Sequence, residues 1–457
     1  MAALDFPASP SVGAKYPVTP LAGIPQYTWD GEKWTTVGSQ VTAAAPATAL
    51  PLMDATPAAV GVTAKYARED HVHPTDTSRA ADSAVLKKTV QTLTEAEQTI
   101  ARQNIYAAPF DALAYNGMQI NGGFDVSQEK GTSGLFTAGY AVDGWLTSYQ
   151  GTMAIATFQV VTGAYFAANC IVASVSTAQT SLGTNDQASV VQPIEGHRWA
   201  RLGWGTPQAQ PVTVGFWTCH ARPGTYSVRI CNKTTDRSYA TTYTQNAPTV
   251  WEYKTVTIPG CVDGTWEKTN LQGAYVLFAM AAGTGLTAPA ANTWFNANYA
   301  AAPGQVNAVS STSDVFRITG IVVLPGIEAP SAARSPLIMR PYDQELVTCQ
   351  RYYRQLGGAA AYEMLGNGQP HSTGGANVLL FFGPPMRASP AITPVGNLAL
   401  TNATTAGLPV TAMALNSSSP VSASLNVSVA SGLIAGNVTL LMTNNDLNAR
   451  LKLEARL

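Results

Sequence analysis

The run VTVGFWTCHARPGTYSVRIC, residues 212–231, alternates on both sides of Arg222-Pro223-Gly224. Successive side chains of an extended chain point to opposite faces, so this alternation describes strands and has no use in a helix. TVWEYKTVTIPG, YVLFAMAAG and DVFRITGIVVLPG follow, with Gly, Pro and Asn between them. Strands at this spacing, with few helix signals, predict an antiparallel sandwich over residues 116–335. After a polar-aromatic connector with a turn or two of helix, PLIMRPYDQELVTCQRYYRQLG at 336–357, alternation returns in VSASLNVSV and in the terminal LKLEARL. The expectation is a mainly β chain whose residues 336–457 hold the connector and a second, smaller β-sandwich.

The surface must be made soluble without much charge. Only 12% of residues are Asp, Glu, Lys or Arg and the net charge is −1, against a usual charged share of about 25%. Ser, Thr, Asn, Gln and Gly take their place. No basic block exists for counterion-driven nucleic-acid binding. The opening MAALDFPASP lacks the basic and apolar regions of a secretory signal, and no uninterrupted apolar run reaches membrane-spanning length. A soluble protein made in the cytoplasm is expected, with neither nucleic acid nor a membrane as partner. The stretch before LKLEARL has few large apolar residues, which predicts a thin core completed by identical copies. The five cysteines form no CxxC and read as buried free thiols. Cys219 and Cys231 facing each other across a hairpin, or an interchain disulfide, are the alternatives.

The first residues divide differently. Residues 1–40 carry QYTWDGEKWTTV, two aromatic strands around Asp30-Gly31, a hairpin signal. Residues 41–77 have linker composition and contain YAREDHVHPTD. Residues 78–115 hold the best helical stretch, with Thr94 and Glu97 as a capping box and Leu86, Val90, Leu93 and Ile100 at helical spacing, a short collar.

In their order along the chain these segments resemble bacteriophage tail-fibre and receptor-binding proteins. FPASPSVGAKY with TWDGEKW is similar to the hairpin module that opens many virion proteins, and YAREDHVHP to a tail-fibre element. LTEAEQTIARQNIYA resembles the helical segment that often follows, although the family usually has Gly where Tyr106 stands. NGGFDVSQ with DGW, and RPYDQELVTCQRYYRQ, resemble the start and exit of a jelly-roll module. PPMRASPAITPVGN with LKLEARL is similar to a C-terminal tip domain. The resemblance implies a homotrimeric, virion-attached fibre, joined to other virion proteins through its N-terminal region and binding a bacterial surface glycan.

Candidate site residues follow. His71 and His73 share one side of an extended segment. Three copies around an axis would bring six imidazoles together, a set suited to Fe or another transition metal; one copy alone offers an exposed pair beside Pro74. No cofactor is otherwise required. Sugar faces stack on aromatic rings while amides meet their hydroxyls. Trp204, between Gly203 and Gly205, and Trp294, near Asn292 and Asn296, have loop-like settings and are the platform candidates; Trp217 and Trp251 read as core. Tyr362, in the loop reaching Thr373, is a candidate at the C-terminal end. The isolated His197, His220 and His371 read as structural. A glycan hydrolase would need two facing carboxylates. Asp143, Glu195, Asp263, Glu267 and Glu363 form no evident pair, and no GxSxG or HExxH motif is present. The expected function is non-covalent attachment without catalysis. A purely architectural fibre is the alternative, and a glycan depolymerase the weaker one.

Overall fold

The computed structural model of the protein describes residues 5–36, 93–104, 117–402 and 407–457. Residues 1–107 and 108–457 form two compact units.

In the first unit, β1 (Lys15–Tyr16), β2 (Tyr27–Trp29) and β3 (Trp34–Thr36) make an antiparallel sheet in that order. Trp29 pairs with Trp34, their rings 5.6 Å apart. Asp30 turns the chain: its Oδ1 accepts from the backbone N–H of Glu32 (2.9 Å) and Lys33 (2.8 Å), and Gly31 takes φ +111°, a value disfavoured for any side chain. Phe6 packs on Tyr16, Tyr27 and Trp34 at 5.4, 5.2 and 5.2 Å, so this small sheet has its own aromatic cluster. Helix α1 (Glu95–Asn104) starts at the expected box. The Glu97 N–H donates to Thr94 Oγ1 (3.3 Å), and Glu97 Oε2 accepts from the Thr94 N–H (2.8 Å). The linker 41–77, and the rest of the expected collar with Leu86 and Val90, lie outside the described residues.

The second unit begins with a sandwich. Its strands are β4 (Gly139–Val142), β5 (Trp145–Gln150), β6 (Ala154–Ala164), β7 (Ala167–Thr177), β8 (Gln187–Glu195), β9 (Val212–Thr218), β10 (Gly224–Asn232), β11 (Ser238–Gln245), β12 (Glu252–Ile258), β13 (Gln272–Ala282), β14 (Trp294–Phe295) and β15 (Val315–Pro325). One sheet runs β14-β11-β10-β13-β8-β5-β4, the other β12-β9-β15-β7-β6. Strand β13 enters between β8 and β10, and β15 between β7 and β9. These paired insertions are Greek-key crossings of the jelly-roll kind. Alternate residues of both sheets fill the space between. Phe216 on β9 meets Phe278 on β13 at 5.0 Å, and Trp145 on β5 meets Phe278 at 6.2 Å.

The chain at Arg222-Pro223-Gly224 differs from a hairpin. Strands β9 and β10 belong to opposite sheets, so the turn carries the chain across the sandwich, and Cys219 and Cys231 do not face each other as paired neighbours. Alternation is the same whether the next strand pairs beside its predecessor or packs opposite it, which is why the spacing misleads. All five cysteines are free and buried, as expected.

Helix α2 (Gly196–Trp199) follows β8, and α3 (Tyr342–Gln350) occupies the connector. The C-terminal strands are β16 (Tyr353–Gly357), β17 (Met364–Ser372), β18 (Gly375–Phe381), β19 (Ala391–Val395), β20 (Leu398–Thr401), β21 (Leu408–Ser418), β22 (Ser422–Val429), β23 (Thr439–Thr443) and β24 (Arg450–Glu454). Strands β17-β18-β22-β21-β20-β23 close into a barrel, and β16-β24-β19 form a small sheet beside it. The smaller sandwich expected here is thus a sheet closed on itself. Nor is its core left to neighbours: Val378, Leu380, Leu400, Leu425, Val427 and Leu441 are each at most 1% exposed. A six-stranded barrel has little interior to fill, so few large side chains suffice. LKLEARL behaves as predicted, with Leu451, Leu453 and Ala455 buried.

Sandwich and barrel meet across a polar junction, built from the segments that carry the family resemblance. The buried Asn121 side chain donates to the carbonyls of Val126 (2.7 Å) and Asp143 (2.9 Å), and its backbone N–H donates to Glu345 Oε1 (2.7 Å). Arg340 pairs with Glu345 (3.2 Å) and donates to the Gly117 and Gln119 carbonyls at 2.6 and 2.9 Å. Glu195 accepts from Arg351 and from the Tyr352 hydroxyl. Arg456 pairs with Glu129 (2.6 Å) and lies 3.9 Å over the Tyr353 ring, a cation–π contact. Arg387 donates to the carbonyls of Ala455, Asn270 and Arg456 at 2.7, 2.9 and 3.0 Å.

Candidate functional site

Glycines 203 and 205 take φ +67° and +83°. They turn the chain so that Trp204 points inward, where it is 2% exposed and donates from Nε1 to the Gln210 carbonyl at 2.6 Å. An enclosed ring has no face for a sugar, so Trp204 is a core residue and not a platform. Its neighbours form a tryptophan cluster: Trp199 at 4.8 Å, Trp266 at 4.7 Å and Trp294 at 5.3 Å, each at 85° or more to it. Edge-to-face packing of this kind is the favoured aromatic geometry.

Trp294 is the outer member. It sits on β14, the edge strand of the larger sheet, opposite Tyr239. Its ring is half-buried, 5.2 Å from Tyr239 and 5.9 Å from Trp266, and its Nε1 donates to the Pro259 carbonyl at 3.1 Å. Ring contacts and this hydrogen bond restrain both side-chain torsions. Asn292 and Asn296 flank it and are exposed. Asn292 takes φ +61°, and its backbone N–H donates to the Ala240 carbonyl at 2.9 Å. The three predicted residues thus share one edge segment by their spacing in the chain: a held ring on β14, with an exposed asparagine two residues before it and another two residues after it. Behind the loop, Arg229 is 4% exposed and donates to Asn298 Oδ1 at 2.5 Å.

Tyr362 lies apart, 57% exposed, in the loop between β16 and β17. Trp217 is buried, stacked on Phe166 at 3.8 Å, and Trp251 is half-buried. His220 is enclosed, stacked on Phe316 at 4.0 Å and hydrogen-bonded to the Tyr243 hydroxyl at 2.8 Å. Burial pulls its pKa well below the ordinary value. His71 and His73, the candidate metal pair, lie outside the described residues.

The five acids singled out earlier each have a local task. Asp143 accepts from the Gln128 N–H at 3.0 Å and from Gln128 Nε2. Glu195 holds Arg351, and Asp263 pairs with Arg237 at 3.0 Å. Glu267 caps the N–H groups of Lys268 and Thr269, and Glu363 that of Ala359. The feature that sequence reasoning missed is the tryptophan cluster: Trp199, Trp204, Trp266 and Trp294 come from four segments with no shared spacing.

No family model and no curated protein matches the chain. Among solved structures it is similar to a putative sugar binding protein from Bacteroides thetaiotaomicron, at 12% identity and TM-score 0.27, covering 46% of this chain and 99% of that one. It is similar to a family 11 carbohydrate-binding module from Clostridium thermocellum, at 11% identity and TM-score 0.22, covering 41% and 92%. A third likeness is to the enzymatically active domain of tailspike protein 4 of bacteriophage CBA120, at 12% identity and TM-score 0.25, covering 46% of this chain but only 22% of that one. Likenesses this distant assign neither ligand nor activity to this chain.

Proposed function

We propose that this chain is a virion-attached fibre protein that binds a bacterial surface glycan without cleaving it, and that Trp294 with Asn292 and Asn296 forms the binding platform. The observation that carries the glycan reading is the held, half-buried Trp294 ring on an edge strand, with exposed asparagines two residues to either side in the chain. A ring already fixed by its neighbours loses little entropy on stacking, and amides supply both donors and acceptors to sugar hydroxyls. The virion and homotrimer parts of the reading rest on the resemblance in NGGFDVSQ, RPYDQELVTCQRYYRQ and the other segments quoted above.

The test is binding of the full chain to host cells and to a glycan array. Trp294→Ala should lower binding roughly tenfold or more, as for an aromatic hot spot, with the thermal transition retained. Wild-type binding that Trp294→Ala leaves intact removes the platform from this loop. Absence of wild-type binding favours an architectural fibre, and release of reducing ends from host polysaccharide would make the chain an enzyme.

A further inference from the structure

Strand β18 alternates strictly. Ala376, Val378 and Leu380 enter the barrel core, while Asn377, Leu379 and Phe381 face outward. Phe381 is 73% exposed and Leu379 45%. The register sets their neighbours. Asn377 lies opposite Gln369 on β17 and Asn426 on β22, and Leu379 lies opposite Asn367 and Ser424. Ala414 on β21 continues the first row beyond Asn426. Cross-strand neighbours on one face have Cβ atoms about 5 Å apart, so amides, hydroxyls and methyls make a continuous lattice beside one open phenyl ring.

Two properties of this wall select its occupant. The first is charge. Between Met364 and Asn445 the ionisable side chains are His371 and Arg387, and Arg387 is engaged with three carbonyls at the junction. The rows themselves carry none, so a charged ligand finds no complement. The second is unused hydrogen bonding. The side-chain amides of Asn367 and Asn426 are exposed, like that of Asn377, and none of the three makes a hydrogen bond among the described residues. A greasy protein partner would strip water from these amides and return nothing, at a cost of about 1–3 kcal/mol each. A pyranose offers hydroxyls to the amides and a C–H face to the ring.

We propose that this wall, with Phe381 as its ring and Asn367, Asn377 and Asn426 as its amides, is a second carbohydrate-binding surface, specific for neutral polysaccharide. It stands on the barrel's own residues and does not depend on the Trp294 loop.

The experiment is retardation of the full chain in native gels cast with dextran, mannan, laminarin or galactan, with alginate as the acidic comparison. At least one neutral polymer should retard the wild type. Phe381→Ala should weaken that retardation roughly tenfold or more, and Asn377→Ala with Asn426→Ala should weaken it too. All these side chains point outward, so the melting transition should not move. Retardation by no neutral polymer, or equal retardation of the wild type and Phe381→Ala, overturns the proposal. So does sedimentation in which Phe381→Ala dissociates an assembly, because the wall is then a contact between copies. Retardation lost in Trp294→Ala and kept in Phe381→Ala removes the wall and leaves the sandwich platform standing; the reverse pattern removes the platform and keeps the wall.

Discussion

Arg351 holds Glu195 through two parallel hydrogen bonds, Nη2 to Oε1 at 2.5 Å and Nε to Oε2 at 2.9 Å. Glu195 ends strand β8 of the sandwich with its side chain 2% exposed, and Arg351 follows helix α3 on the way into the barrel. Burial alone would push the Glu195 carboxyl up. The hydrogen bonds from Arg351 and Tyr352 outweigh it and hold the group below its usual range.

Arg351→Ala leaves that carboxylate buried with only the Tyr352 hydroxyl. The expected loss is about 3 kcal/mol, the lower end for an orphaned buried charge, read from urea unfolding. Arg351→Lys should recover only part, because an ammonium cannot give two parallel bonds. A loss under about 0.5 kcal/mol, the size of an ordinary surface change, would show that the pair does not brace the junction.

The junction also has a pH signature. Burial raises the Asp143 pKa to about 6, against the opposing effect of its Gln128 hydrogen bonds. A carboxyl raised on folding favours the native state at low pH, and that contribution is lost as pH rises through about 6. Glu129 behaves oppositely. Burial would raise it, but Arg456 and Lys452 hold it down at about 2. Its contribution is present above the ordinary glutamate value and is lost as pH falls towards 2. Asp143→Asn should therefore flatten the stability change between pH 4 and 7, while Glu129→Gln should flatten the acid limb below it. Thermal melts across that range check both, and an unchanged slope in Asp143→Asn would remove Asp143 from the account.

Much of this was legible in the residues. Alternation revealed the strands, Thr94 and Glu97 marked a helix start, and cysteines without CxxC spacing proved to be buried thiols. Three things were not. The crossing at Arg222-Pro223-Gly224 leaves the same pattern as a hairpin. Flanking glycines made Trp204 look like a loop residue, when they are what turns its ring inward. The scarcity of large side chains in the barrel looked like a missing core. Instead, Gly366 and Gly368 sit where an added Cβ would meet Leu380 Cδ2 at 2.7 Å and the Asn377 carbonyl at 2.1 Å, so the narrow interior requires small residues. The resemblance segments, read as marks of function, supply the brace between the two β bodies.

The thiols offer an independent check on burial. Desolvation pushes Cys170 up to about 12 and Cys261 to about 11, and Cys349 well above the ordinary value. Thiolate is the reactive form, so native protein should be nearly inert to a thiol reagent, and denatured protein should titrate all five cysteines. Fewer than five after denaturation without reductant would reveal a disulfide, contrary to this structure.

The tryptophan cluster separates fold from site in one comparison. Trp204 is enclosed by three other tryptophans, and its removal opens a cavity that the neighbouring rings cannot fill; Trp204→Ala should cost about 3–5 kcal/mol. Trp294 is half-buried on an edge strand, and Trp294→Ala should cost on the order of 1 kcal/mol, in proportion to the apolar area it covers. The expected pattern is therefore crossed. Trp204→Ala is severely destabilised, and at temperatures where it remains folded it keeps glycan affinity. Trp294→Ala is nearly as stable as wild type and loses binding. Denaturant melts paired with binding at 10 °C read both axes. If the two variants lose stability and affinity in the same proportion, the cluster is a single structural unit and Trp294 has no separate role in recognition.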